Sequence, residues 1–301
     1  MGIVLIVILA MAAMIAALGF AVAGYSMRIK GQTLDEARQW QASRYDLSFY
    51  DELEKTDYEV RSFDGYVLHV QKLTNPSPSG KYVIVSHGYT DNRIGSLKYA
   101  REYLALGFDV VIYDLRGHGL NAPTFCTYTV REAKDLMAII GDTRKRFCDL
   151  KLLGLHGESL GAATTAAAMQ YKPAVDFAVA DCGFAEIESI LRSGLKGFHL
   201  PEAFVRIASV CAKLRFGFGY SEMRPVDCLK DNSIPMLFIH GERDGFIPTR
   251  HSFDMCAATK GPARVVIIPN AKHAASVLTD PVMYREALES FIRKVEASAT
   301  V

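Results

Sequence analysis

Ser159, Asp244 and His273 stand at positions that suit nucleophilic catalysis, and the stretch around the serine carries the strongest signal. Residues 151–165 read KLLGLHGESLGAATT: an apolar run, then Gly157-Glu158-Ser159-Leu160-Gly161, then small residues. This is the pattern of a strand that feeds a tight turn from which a helix leaves. Glycines two residues to either side of the serine fit a strained backbone that a side chain would crowd. A serine hydroxyl is a poor nucleophile near neutral pH, so it needs a base, and the base needs an orienting acid. On a sheet with such a turn, acid and histidine follow the serine in that order. The segment IPMLFIHGERD (234–244) is an apolar strand followed by a polar loop that ends in Asp244. The segment VVIIPNAKH (265–273) is another strand followed by a loop that carries His273. Both candidates therefore follow the carboxyl ends of strands, where the crevice of a parallel sheet lies.

Glu242, Asp254 and Asp181 compete with Asp244 for the acid. His240 ends a strand and reads as buried and structural, and His251 reads as the start of a helix after an Ile-Pro turn. His69 and His199 lie outside the motif regions. The anion formed on attack needs preorganised donors, each worth about 3 kcal/mol. One is the backbone N–H of Leu160; the other belongs to the loop after Ser86-His87-Gly88-Tyr89, with the N–H of Tyr89 as candidate. His87, and His118 within Arg116-Gly117-His118-Gly119, read as loop-stabilising residues. No Lys-Ser/Thr follows these glycines, so they do not form a phosphate cradle.

Elements that position these groups are legible in the patterning. YEVRSFDGYVLHVQKL (58–73) alternates around Asp64-Gly65 and predicts a hairpin. Strands are expected at 82–86, 110–113, 151–155, 175–180, about 235–240 and 264–268. Helices are expected at 96–106, 130–147, 161–171 and 281–297. This alternation predicts an α/β fold, a mostly parallel sheet covered by helices on both faces, with the hairpin antiparallel at one edge. The rhythm breaks between Gly183 and Asp231, where short helical pieces carry Phe184, Phe198, Phe204, Phe216, Phe218 and Tyr220. A structureless loop of that length is uncommon, so a helical cap over the site is expected at about 183–231.

HGY at 87–89, DLRGHG at 114–119, GESLG at 157–161, HGERDGFIP at 240–248 and KH at 272–273 together resemble the α/β-hydrolase superfamily. The resemblance is to its serine aminopeptidase, monoacylglycerol lipase and Bem46-like branch, and it covers about residues 55–297. It implies the α/β-hydrolase fold, a Ser159–Asp244–His273 triad, and Tyr89 and Leu160 as oxyanion donors. The expected activity is a serine hydrolase that cleaves a carboxylic ester through an acyl-enzyme. Hydrophobic or lipid-derived acyl groups suit the aromatic cap. Amides, peptides and thioesters stay open, and so does a non-catalytic, membrane-tethered binding protein. Dehalogenase chemistry needs an aspartate at position 159.

The 301 residues are 50% apolar and 22% charged with a net charge of +1, which suits a full globular core and gives no sign of nucleic-acid binding. Cys126, Cys148, Cys182, Cys211, Cys228 and Cys256 are scattered, without a CxxC pair or metal-ligand spacing. They read as reduced thiols, and no metal or cofactor is expected. From Gly2 to Met27 the chain runs about 26 residues without a charge, long enough to cross a bilayer. Ala21-Val22-Ala23 offers a cleavage site, but no basic n-region precedes the run, so residues 1–27 read as a retained transmembrane anchor. Arg28, Lys30, Arg38 and Arg44 follow it and place the domain on the cytoplasmic side, although Asp35 and Glu36 lie among them. Residues 28–56, polar and helical, read as a spacer, and 57–301 as the catalytic domain. Composition does not specify the oligomeric state.

Overall fold

The computed structural model describes residues 1–196, 201–202 and 204–299. Phe198 and His199 of the expected cap lie outside these residues. In chain order the helices are α1 (Gly2–Ser26), α2 (Leu34–Ala42), α3 (Ser48–Glu52), α4 (Leu97–Ala105), α5 (Glu132–Arg146) and α6 (Leu160–Ala168). They continue with α7 (Ile187–Lys196), α8 (Phe204–Phe216), α9 (Arg250–Ala258), α10 (Ser276–Thr279) and α11 (Pro281–Ala299). The strands are β1 (Lys55–Arg61), β2 (Val67–Leu73), β3 (Lys81–Ser86), β4 (Phe108–Tyr113), β5 (Leu152–Glu158), β6 (Phe177–Asp181), β7 (Met236–Gly241) and β8 (Ala263–Ile268).

The strands form one sheet in the order β1-β2-β4-β3-β5-β6-β7-β8. β1 and β2 pair antiparallel with Asp64-Gly65 in the turn between them, and β2 runs antiparallel to β4. The remaining pairs are parallel. Gly65 has φ +83°, a backbone that glycine adopts at no steric cost. Central strands are buried along their whole length, which is why they read as unbroken apolar runs. Successive side chains enter opposite layers: Tyr82 and Ile84 join one core, Val83 and Val85 the other. Each such fully buried aliphatic side chain contributes about 1.5–3 kcal/mol. Between β6 and β7 lie α7, α8 and two short 3₁₀ turns, Tyr220–Glu222 and Pro225–Leu229.

Residues 28–56 differ from the spacer expected of them. Ala37, Leu47 and Tyr50 are buried in the same layer as Leu97, Tyr103 and Phe108. A capping box between Thr33 and Glu36 starts α2. The chain that leads there is stitched down before α2 begins. Met27 O accepts from Cys126 N (2.9 Å), Gln32 N donates to Thr90 O (3.2 Å), and Asn92 Nδ2 donates to Gln32 O (3.1 Å). The polar composition obscured one narrow apolar stripe, and a stripe is enough to dock a short helix. The apolar helix α1 has no slack where it joins the domain.

Candidate active site

Ser159 sits at the turn between β5 and α6 with φ 53° and ψ −111°. A side chain rarely occupies such a backbone, and it persists only where its surroundings hold it. Both flanking glycines are required by close packing. A Cβ on Gly157 would stand 2.2 Å from Gly161 O, and one on Gly161 would stand 2.1 Å from Ser86 O. Ser159 N donates to Asp181 O at 2.8 Å, which ties the turn to the end of β6.

The three side chains singled out by spacing converge here, although 114 residues separate Ser159 from His273. Ser159 Oγ lies 3.0 Å from His273 Nε2, and His273 Nδ1 lies 2.7 Å from Asp244 Oδ2. Asp244 lies in the loop after β7, and its Oδ1 accepts from Phe246 N (2.9 Å) and Ile247 N (2.8 Å). Burial by itself would raise this carboxyl. Hydrogen bonds from His240 and His273 and from the loop amides outweigh burial and hold it well below the usual carboxylate range. A serine, an imidazole and an ionised carboxylate in this hydrogen-bond order have the geometry for proton transfer from the hydroxyl.

His240, expected to be structural only, also abuts the acid. Its Nε2 is 3.2 Å from Asp244 Oδ2 and 2.8 Å from Ile247 O, while Ser252 Oγ meets Nδ1 at 2.7 Å. Its place at the end of an apolar strand, four residues before Asp244, was the available signal. The rival acids are engaged elsewhere. Glu242 is exposed and accepts from Asn270 N, and Asp254 is exposed on α9. His251 opens α9, where Ala185 N donates to its Nδ1. Burial lowers its pKa to about 4.

Leu160 is the first residue of α6, so its N–H has no intrahelical acceptor. For Tyr89 the controlling contact is made one residue earlier. His87 Nδ1 donates to Gly88 O (2.7 Å), while His87 Nε2 accepts from Leu115 N (2.9 Å). The second contact makes Nε2 an acceptor and assigns the proton to Nδ1, and burial keeps the ring neutral by lowering its pKa. Because a trans peptide is planar, holding Gly88 O on one side directs the Tyr89 N–H to the other. His118 Nε2 meets Tyr89 O at 2.5 Å and braces the same loop. The charged residues of DLRGHG, Asp114 and Arg116, are ion-paired braces. Arg93 pairs with Asp114, and Arg116 pairs with Asp135 and Asp64.

Behind the serine lies a buried polar network that no sequence motif marks. Lys98 pairs with Glu158, next to Ser159, and its Nζ donates to Ala274 O (2.9 Å), next to His273. One buried cation thus ties the loop of the serine to the loop of the histidine. Tyr99 donates to Glu158 (2.6 Å) and Tyr284 to Asp181 (3.0 Å). Burial, reinforced by the nearby Glu158 charge, pushes Asp181 up to about 6. A carboxyl raised on folding stabilises the fold fully below its ordinary value near 3.8, and that contribution is lost as pH rises through about 6. Between pH 4.5 and 7.5, wild-type protein should therefore lose stability relative to Asp181→Asn, by roughly 2 kcal/mol. Urea midpoints of both proteins at the two pH values measure this; a constant difference would mean that Asp181 is ionised throughout.

Cys182 lies against the triad, with its sulfur within 4.8 Å of ligand atoms of Asp244 and His273. Burial pushes its thiol well above the ordinary value, so it stays protonated. All six cysteines are free. A cavity of about 760 Å³ opens from Ser159 and Leu160. Its walls come from Tyr89, Tyr128 and Phe184, from Ile187, Ile190 and Leu191 of α7, and from Val205 and Ala208 of α8. Phe246 and Ile247 close it beside Asp244, and Ala21, Val22, Tyr25 and Ser26 of α1 contribute a further wall.

A mostly parallel eight-stranded sheet with a serine turn after β5 is the architecture of the α/β-hydrolases. The chain belongs to the α/β-hydrolase family described as serine aminopeptidase, S33, whose model matches residues 77–213, and it is a hydrolase. It is 31% identical over 253 residues to YqkD of Bacillus subtilis, covering 83% of each protein. Among solved structures it is similar to the Pyrococcus furiosus esterase Pf2001, with a TM-score of 0.70, 19% identity, and coverage of 89% of this chain and 98% of that one. Est1E of Butyrivibrio proteoclasticus, solved with ferulic acid bound, has a TM-score of 0.64 and 19% identity, with coverage of 79% and 99%. At these identities the structural likeness concerns the fold.

Proposed function

We propose that the protein is a membrane-anchored serine esterase that cleaves carboxylic esters of hydrophobic acyl groups. The observation that carries the reading is the hydrogen-bonded series Ser159–His273–Asp244 at the mouth of an apolar cavity. Ser159 Oγ attacks the ester carbonyl as His273 Nε2 takes its proton, and the oxyanion is received by the N–H groups of Tyr89 and Leu160. His273 returns the proton to the leaving alkoxide, and water then releases the acyl group by the same steps in reverse. Asp244 holds the imidazole in orientation, with His240 supporting Asp244.

The family description raises the aminopeptidase alternative. An aminopeptidase must pair its substrate's α-ammonium group with an acceptor or an anion, because a desolvated charge is costly. Among the described lining residues the charged group is Lys30, a cation, and none is a carboxylate. This favours a neutral acyl group. The helix α1 is 25 residues long and apolar enough to cross a bilayer, and it serves here as the anchor.

A series of p-nitrophenyl esters of increasing acyl length, compared with aminoacyl p-nitroanilides, tests the assignment on the detergent-solubilised full chain. The expected result is kcat/KM rising at least about ten-fold from acetate to octanoate, as methylenes worth about 0.8 kcal/mol each enter the cavity. Faster cleavage of the anilides would assign the protein to the peptidases instead.

A further inference from the structure

We propose that α1 and the cap helix α8 form a single bilayer-seated platform, and that the acyl cavity takes its ester from the membrane through it. The substrate is then a bilayer-resident lipid ester; this deepens, and rests on, the esterase reading above.

The first observation is where α1 goes. It does not merely precede the domain. Its final turns pack on α8, with Gly19 and Ala23 buried, and a Cβ on Gly19 would stand 2.8 Å from Cys211 Sγ. Ser26 Oγ meets Tyr220 OH at 2.5 Å, and Tyr128 OH donates to Ser26 O. On the other side of these turns, Val22 and Tyr25 line the cavity that reaches Ser159. The anchor is thus a wall of the active site, and processing at Ala21-Val22-Ala23 would remove part of that wall.

The second observation is how closely α1 is held. Ala16 already meets α8, where its carbonyl lies 3.9 Å from Cys211 Sγ. Residues 26–33 are hydrogen-bonded to the domain, so α1 has no tether with which to stand off. A bilayer that takes up α1 therefore lies against α8.

The third observation is the face that α8 presents there. Val210 and Leu214 are 60% and 73% exposed, and Ile207 is 36% exposed beside Gly19. Arg206 and Arg215 are exposed on the same helix, as is Lys213, whose Nζ pairs with Glu222 at 2.8 Å. Apolar side chains flanked by cations that can snorkel to the headgroups are the composition of an interfacial helix. The opposite face of α8 supplies Val205 and Ala208 to the cavity, so one helix touches both lipid and substrate.

The test uses the full chain in phosphatidylcholine vesicles with two substrates that share a leaving group: soluble 4-methylumbelliferyl acetate and bilayer-embedded 4-methylumbelliferyl oleate. In Val210→Asp/Leu214→Asp the oleate turnover should fall at least ten-fold while acetate turnover changes less than two-fold. Unchanged oleate turnover, or equal loss of both, overturns the proposal. A second measurement does not depend on catalysis. With the chain's single tryptophan removed (Trp40→Phe) and Ser159→Ala present, a Val210→Trp reporter should lose at least half its fluorescence to dibromophosphatidylcholine. No quenching, as expected if a second copy of the chain or another protein covers α8, also overturns it. If wild-type protein hydrolyses neither ester while the reporter is quenched, the esterase reading fails and the seating of α8 stands.

Discussion

Replacing Ser159 by alanine is expected to lower kcat by about 10⁶-fold without unfolding the protein. The size of the effect follows from what the hydroxyl does. It is the atom that attacks, and its side-chain hydrogen bond is the one to His273 Nε2 at 3.0 Å. The fold should tolerate the change because alanine keeps the Cβ. The strain of φ 53° is therefore the same in both proteins, and Ser159 N still donates to Asp181 O. Labelling with a fluorophosphonate probe gives the sharpest readout, since the probe reacts with an activated serine whatever the natural substrate. Wild-type protein should label and Ser159→Ala should not. Labelling that survives the substitution would place the nucleophile elsewhere. Folded wild-type protein that neither labels nor turns over any ester would favour a binding protein on a hydrolase scaffold.

The second large effect is expected at the acid. Asp244→Asn should reduce kcat by about 10⁴-fold with little change in KM. An amide cannot satisfy both sides of this site. The carboxylate accepts on four sides: from the N–H groups of Phe246 and Ile247 at Oδ1, and from His273 and His240 at Oδ2. An asparagine that keeps its oxygen towards the loop turns an NH₂ donor on His273 Nδ1. That forces the proton to Nε2, where Ser159 needs an acceptor. The flipped amide instead opposes NH₂ to two backbone N–H groups. Near-normal turnover in this variant would move the role to Asp181 or Glu242. The wild-type carboxyl also bears on stability. Since folding lowers its pKa, its contribution is complete above the ordinary value near 3.8 and is withdrawn only as the pH falls towards the folded value. Urea titrations of wild type and Asp244→Asn should therefore differ least at low pH.

Much of this protein is determined locally, and that part was legible in the sequence. The strand–turn–helix at 151–168, the hairpin around Gly65 and the apolar strands at β3 to β8 follow from period, burial and glycine placement. These are short-range properties. So is the chain order of Ser159, Asp244 and His273, because a parallel sheet presents the carboxyl ends of its strands on one side. Tertiary structure decided the rest, for one physical reason: the relevant contacts join residues that are distant in sequence and carry no joint periodicity. Nothing near Lys98 indicates that it bridges Glu158 and Ala274 O, 176 residues away in the second case. His240 became a partner of the acid only when β7 and its loop folded together. Residues 28–56 look like a tether because their composition is polar, yet Ala37, Leu47 and Tyr50 provide enough apolar surface to dock them. Above all, the sequence of α1 specifies a helix that lipid can surround, and nothing in its uniform apolarity distinguishes the turns that face lipid from those that wall the cavity. Only packing against α8, where Gly19 meets Cys211 and Ile207, separates the two.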